Sequence, residues 1–323
     1  MNRLFFPTLI VLVAVPGWPA AAQSADFHGL ISGFVYNPAS KALRPLMGIP
    51  GSTTIGSPVF SAVDFASVAP GGRWALIVRQ GRSTFESGLT DLAPQEFSAE
   101  GLIDAVDRVA WSRDGSFAVL YASFANQLQR VRFSEIPSAE APVDLNPFGA
   151  VSALAIDSNG RIAVGFNNSG LYLFDGSSSP VLLASIHQPA AAVFDETGNR
   201  LYAVDLDQQS ILQVSSGAGP SAFASLGRPD GSASKPVGMA LSAGSRYLLL
   251  ADSAGSAILV YNTNSGSLAY TLPLDLPPSR MEPLSASPTF LLNDPRSDGW
   301  LLVLDASKTP LVYFVPRSQD ESQ

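Results

Sequence analysis

The chain has 323 residues, 46% of them hydrophobic and 14% charged, with a formal net charge of −8 and a pI near 4.7. No Lys/Arg cluster exists to neutralise phosphates, so nucleic acid is not expected as a partner, and an anionic membrane surface would repel the chain. Cysteine is absent, which excludes disulfides, thiol nucleophiles, thiolate metal sites and a lipid anchor on an N-terminal Cys.

The first 22 residues read as an address. Arg3 supplies a positive n-region, Leu4 to Val15 is an apolar h-region, and Ala20-Ala21-Ala22 before Gln23 fits an A-x-A cleavage site. A spanning helix needs about 20 apolar residues, more than this run offers, so cleavage is expected over an uncleaved anchor. No later stretch is long enough to span as a helix. The expected product is exported, to the periplasm or the extracellular space, and its residues 23–323 show no linker or composition shift that would divide them.

Leu30 to Tyr36 reads as a strand and Asn37-Pro38-Ala39-Ser40 as a turn. Ala42 to Leu46 follows as an outer strand with Pro45 at an edge position, then Gly48 to Ser52 as a loop. This has the look of the second half of a sheet with no first half before it. A repeat then becomes visible, aligned on the last apolar residue of a first strand: Val68, Trp111, Ile156, Phe194, Leu241 and Leu292, at spacings of 43, 45, 38, 47 and 51. Each anchor leads through a Gly-containing turn into a second apolar strand: Trp74–Val78, Phe117–Tyr121, Ile162–Val164, Leu201–Val204, Tyr247–Asp252 and Trp300–Leu304. Third strands are read at Leu128–Phe133, Leu171–Phe174, Ile211–Val214, Ile258–Tyr261 and Leu311–Val315. Weaker fourth strands are read at Val181–Leu183, Ser221–Phe223 and Leu268–Leu272.

Four antiparallel strands every 40–50 residues, roughly, is the signature of a β-propeller. The fold class is therefore all-β. Six first-and-second strand pairs predict six blades, with the N-terminal strands completing the last blade and closing the ring. Division of the chain length by the repeat leaves a seventh, degenerate blade open.

Two stretches resemble a known group. Leu201-Tyr202-Ala203-Val204-Asp205 with Ile211-Leu212-Gln213-Val214, and Leu249-Leu250-Ala251-Asp252 with Ile258-Leu259-Val260-Tyr261 and Ser265-Gly266, are similar to the repeats of NHL-type and YVTN-type bacterial β-propellers. The copy at Ala155 to Phe174 is weaker, with Phe166 in place of the Asp. The resemblance implies an exported bacterial propeller used for binding. Fold likeness alone carries no function.

Asp205, Asp252 and Asp305 recur at the end of a second strand. They read either as a ring of carboxylates or, more simply, as acceptors for backbone N–H groups of the next turn. A metal-dependent lactonase would need Glu and Asn/Asp around the channel. Glu196, Asn293 and Asp294 are the candidates and oxygen ligands would suit calcium, but each sits in turn sequence, and Asp294 to Gly299 lacks the alternating acids of a calcium loop. The two histidines, His28 and His187, cannot build a zinc site alone, and no G-x-S-x-G elbow accompanies His187. Gly217 to Ala222 matches G-x-G-x-x-A by letters, yet Pro220 obstructs the helix that a phosphate cradle needs. Asn167-Asn168-Ser169 is a sequon of consequence only in a glycosylating host. Trp74, Trp111 and Trp300 are expected in blade packing rather than in a carbohydrate platform.

No catalytic, cofactor-binding or metal-binding residue is therefore assigned, and no cofactor is expected, calcium entering only with a lactonase. The leading expectation is a monomeric, non-catalytic scaffold that presents a face of loops to a protein, glycan or envelope component. The alternatives are a calcium-dependent lactonase or hydrolase, and a structural part of an envelope assembly.

Overall fold

A computed structural model of the chain describes residues 30–91, 93–176, 179–215, 217–226, 232–284, 288–295 and 300–316. The export signal and His28 lie outside the described residues, as does most of the Asp294 to Gly299 stretch.

The second strands set the architecture. Val-, Leu- and Ile-rich runs such as Trp74–Val78 and Leu248–Asp252 are buried along their whole length. A strand apolar on both faces must be covered on both, so each sheet needs a neighbour on either side. A closed ring of sheets meets that demand.

Seven antiparallel sheets are present. Blade one holds β1 (Ile31–Asn37), β2 (Ala42–Ile49) and β3 (Ser52–Ile55). Blade two holds β4 (Phe65–Val68), β5 (Trp74–Arg79), β6 (Arg82–Ser87) and β7 (Gln95–Phe97). In blade three, β8 (Arg108–Trp111), β9 (Phe117–Ala122) and β10 (Gln127–Arg132) are joined by two short pieces on the edge of β10, β11 (Ser138–Ala139) and β12 (Val143–Asp144). Blade four is β13 (Val151–Ile156), β14 (Ile162–Phe166), β15 (Gly170–Phe174) and β16 (Val181–Ala184). Blade five is β17 (Pro189–Phe194), β18 (Arg200–Asp205), β19 (Ser210–Ser215) and β20 (Pro220–Ser225). Blade six is β21 (Pro236–Leu241), β22 (Tyr247–Asp252), β23 (Ala257–Asn262) and β24 (Leu268–Pro273). Blade seven is β25 (Glu282–Pro283), β26 (Thr289–Leu291), β27 (Leu301–Asp305) and β28 (Leu311–Val315).

The propeller expected from the repeat is thus present, but with seven blades and not six. The miscount has a physical origin. Six strands, β4, β8, β13, β17, β21 and β26, occupy the inner position that the repeat marks, and among the described residues blade one has no strand of that kind. We call upper the face where these inner strands begin. The guanidinium of Arg108, at the start of β8, reaches the carbonyl of Val151, at the start of β13, across 3.0 Å. By contrast it is the end of β1 that lies at the upper face: the Tyr36 hydroxyl donates to the Asp64 carbonyl at 2.6 Å, just before β4 begins. So β1 runs opposite to every inner strand, as a second strand does. The described strands of the first blade take its second, third and fourth positions.

Closure differs from expectation too. Among the described residues the N-terminal strands form no ladder with the last blade. The first and last sheets meet through side chains, with Val35 and Leu46 packed in one cluster with Leu291, Leu301, Val303, Tyr313 and Val315. Pro45 is not on an edge strand, since β2 is central. Its carbonyl accepts from Gly56 N–H at 2.8 Å, and a residue's N–H lies on the same side as its C=O, so the missing donor falls just past the end of β3. Gly48 and Ile49 belong to β2, leaving Pro50 and Gly51 as the turn.

Packing between blades is aromatic where blades two and three meet. Trp74 lies 5.0 Å from Phe97 and 5.6 Å from Phe133, and Trp111 lies 5.1 Å from Phe133, while Trp111 Nε1 donates to Ser67 Oγ at 2.9 Å. Trp74 and Trp111 thus serve blade packing as expected. Trp300 does not: it is 56% exposed at the lower rim of blade seven, edge-on to the half-exposed Phe314. The hairpin turns follow the expected chemistry, with Gly72, Gly115, Gly160 and Gly198 at φ between 69° and 79°.

Replacement of Trp74 by alanine is expected to cost about 3–5 kcal/mol, because its cavity opens between two blades. Denaturant unfolding measures this; a loss below about 1 kcal/mol would contradict the packing described.

Candidate functional site

Near the axis seven sheets converge, and the side chains there must be small. The inner strands supply several such positions: Ala153 and Ala155 on β13, Ala190 to Ala192 on β17, and Gly238 on β21 line the channel. The channel is further narrowed by the chain itself. Residues 280–284 enter it, and β25 pairs antiparallel with the channel-side edge of β26, Glu282 opposite Leu291 and Pro283 opposite Phe290. Gly238 makes room for this arm, for a Cβ there would stand 2.6 Å from the Cβ of Met281.

Two cavities flank the arm. One, of about 410 Å³, is lined by β1, by β4 with Asp64, by β8 with Asp107, and by Glu282 to Leu284. The other, of about 440 Å³, lies against the inner strands of blades three to seven and is lined mainly by small and apolar side chains. Both are within the usual size range of ligand pockets, about 300–1,000 Å³.

The charged groups around the channel are held by their neighbours. Arg280, at the lower end of the arm, pairs with Glu282 at 2.9 Å and with Asp294 at 3.6 Å. Arg113, in the turn after β8, pairs with Glu196, in the turn after β17. Glu196 also accepts from Gly244 N–H at 3.0 Å, so one carboxylate ties the turns of blades three, five and six at the lower mouth. At the upper mouth, Lys41 donates to Asp64 at 2.9 Å and holds its carboxyl below the usual range. Asp107 accepts from the Ser123 hydroxyl and backbone N–H, and among the described residues no cation pairs with it.

The residues singled out from sequence do not gather at one point. Asp205 accepts from Asp207 and Gln208 N–H at 3.0 and 3.2 Å, Asp252 from Lys235 and Ala254 at 2.7 and 3.2 Å, and Asp305 from Ser307 at 2.8 Å. They are turn residues, as the simpler reading had it. Asn293 donates to the Trp300 carbonyl and accepts from Leu302 N–H, both at 2.8 Å, clasping its own loop. With Glu196 on Arg113 and Asp294 on Arg280, the three candidate calcium ligands each have a separate set of partners. Among the described residues no group of three or more His, Asp or Glu side chains could hold a metal ion. His187 is exposed in the loop before β17, its carbonyl accepting from Asn168 N–H. The G-x-G-x-x-A letters lead into β20, a strand, so no helix N-terminus follows them.

Sequence reasoning missed the arm at 280–284 and the cavity beside β1. The pair Pro277-Pro278 followed by Arg280-Met281-Glu282 breaks the repeat, and that break is the only signal the arm leaves.

One carboxylate outside the channel is shifted by burial. Glu86, on β6, is 3% exposed, and desolvation pushes its carboxyl above the usual value near 4.5 despite Arg79 at 3.4 Å. A raised folded pKa contributes stability at low pH and loses it as pH climbs through that value. The Glu86→Gln variant should therefore gain on the wild type between about pH 4 and about pH 7. Denaturant unfolding at both pH values tests this, and a difference that stays constant would refute it.

No family model matches the chain, and no curated protein matches it. Solved structures do. Virginiamycin B lyase from Staphylococcus aureus, as a catalytically inactive histidine-to-alanine variant with quinupristin, aligns at TM-score 0.55 and 16% identity over 78% of this chain and 83% of that one. A streptogramin B lyase aligns at TM-score 0.55 and 14% identity over 78% and 82%. Hsv2 from Kluyvelomyces marxianus aligns at TM-score 0.59 and 11% identity over 90% and 98%. At these identities the likeness is one of fold, a β-propeller.

Proposed function

We propose that the protein is an exported, non-catalytic β-propeller that binds a protein, glycan or envelope component, in keeping with the NHL-like and YVTN-like repeats of its sequence. The observation that carries this reading is the satisfaction of its polar groups. Asp205, Asp252, Asp305, Asn293 and Glu196, the residues best suited to chemistry, each give at least one acceptor oxygen to backbone or to an arginine. A reactive centre instead needs groups aimed at a shared point and left for substrate. The cavity against blades three to seven has mainly apolar walls, suited to receiving part of a ligand rather than transforming it.

The lyases are enzymes on the same fold, and one loses catalysis with a single histidine. The histidine described in this chain, His187, stands in an exposed loop, which gives no support to a like activity here. Fold likeness carries neither activity nor ligand across.

The mature chain is expected to keep its unfolding temperature in EDTA and in added calcium, and to leave a panel of lactones and esters intact. A rise of several degrees with calcium, since a ligand of the folded state stabilises by mass action, together with turnover would establish the hydrolase instead. Export is checked separately: the protein recovered from periplasm or medium should begin at Gln23, and a chain retained with Met1 would refute processing.

A further inference from the structure

Among the described residues the first blade has no innermost strand, and a cavity occupies that position. The edge of β1 faces it. Leu43 and Pro45 direct their backbone groups outward, to Phe60 at 2.9 Å and Gly56 at 2.8 Å. The alternation of an antiparallel ladder then turns Arg44 and Leu46 toward β1, pairing them with Val35 and Gly33. Between those two, the N–H and C=O of Phe34 are directed away from β2, into the cavity. On its far side stand Glu282 and Pro283 of β25, with Leu284 just after them.

Direction is consistent as well. Both β1 and β25 run upward, antiparallel to the inner strands. A segment laid downward between them would be antiparallel to each and parallel to the six inner strands of the other blades. The channel already accepts one such addition, for β25 is itself an extended segment laid on an inner edge. The walls are chosen for a peptide: apolar Phe34 and Val35 along the slot, and Ser67 with Trp111 at its side. At the upper end, where a downward segment has its N-terminal residue, stand Asp64 and Asp107. Asp64 is matched by Lys41, whereas among the described residues Asp107 is bonded to Ser123 and to no cation.

We infer that this slot binds an extended peptide segment of a partner protein, basic at its N-terminal end, which adds to β1 as the missing innermost strand of blade one. The inference rests on the binding reading above and names its ligand class. Main-chain hydrogen bonds to an edge supply affinity that tolerates many sequences, while the carboxylate of Asp107 selects a cation at one end. About four residues fill a strand the length of β4.

The test uses a positional-scanning library of heptapeptides with free amino termini, captured on the immobilised mature chain. Lys or Arg should be enriched at the leading position, with β-branched or aromatic residues after it. An enriched heptapeptide is then remade with N-methyl amides at alternate residues, in both phases. One phase should weaken binding about tenfold or more, since each methyl removes a donor from the ladder and leaves its acceptor unmet. Asp107→Lys, an exposed change whose folding is checked by its unfolding temperature, should abolish the preference for a basic leading residue. Failure of the library to enrich any peptide overturns the inference, as does equal binding by both N-methyl phases. Turnover in the lactone and ester panel would overturn the binding reading itself; a silent panel with no enriched peptide overturns the slot alone.

Discussion

Everything in this molecule follows from strands that are apolar on both faces. A run such as Leu248-Leu249-Leu250-Ala251 cannot rest on one neighbour, because half of it would still meet water. Stacking sheet on sheet solves the problem for all but the two ends of a stack, and bending the stack into a ring removes the ends. The clusters record this directly. Each joins residues of adjacent blades, as Tyr202 and Val204 of blade five lie with Met239, Leu250 and Tyr261 of blade six. Burial of this kind is the dominant favourable contribution to such a fold, which has no disulfide to help it.

The ring geometry then dictates what the centre can be. Sheets that splay outward crowd at the axis, so alanine and glycine line β13, β17 and β21, and chemistry-bearing side chains are pushed to the turns. There they are consumed by local work: an Asp after a second strand holds the next turn, and Glu196 ties three turns together. The centre is consequently quiet and apolar, with charge confined to its two mouths. What variety it has comes from irregularity, namely the arm at 280–284 and the vacant inner position of blade one.

Legibility of this structure in its sequence tracked hydrophobicity. Second strands were plain because Trp74–Val78 or Leu201–Val204 leave no other reading. Strand β6 was not seen, for Arg82-Ser83-Thr84-Phe85-Glu86-Ser87 carries a polar pattern while Ser83, Thr84 and Glu86 are in fact buried. Their burial comes from tertiary packing, which no local window contains. The blade number went astray for a related reason. Counting inner strands counts blades only if each blade has one, and β1, read alone, gives no clue that it stands second. Trp300 looked like its two counterparts by position in the repeat, but blade seven has no fourth strand among the described residues to cover that rim. The turn roles of Asp205 and Asp305 were readable because they depend on residues two or three positions on, whereas Asp252 also takes the N–H of Lys235, far back in the chain.

The joint between the first and last blades has a mechanical consequence. Elsewhere around the circle the polypeptide itself crosses from one sheet to the next. Here, among the described residues, no backbone ladder bridges the gap, and contact rests on side chains such as Val35, Leu46 and Val303. The molecule is in that sense a split washer. Strain applied anywhere on the circumference concentrates at the split, and local opening, which begins where the fewest bonds must break, belongs there first. The vacant position of blade one borders the same split, so a widening of a few ångströms would admit material sideways, without threading it through either mouth.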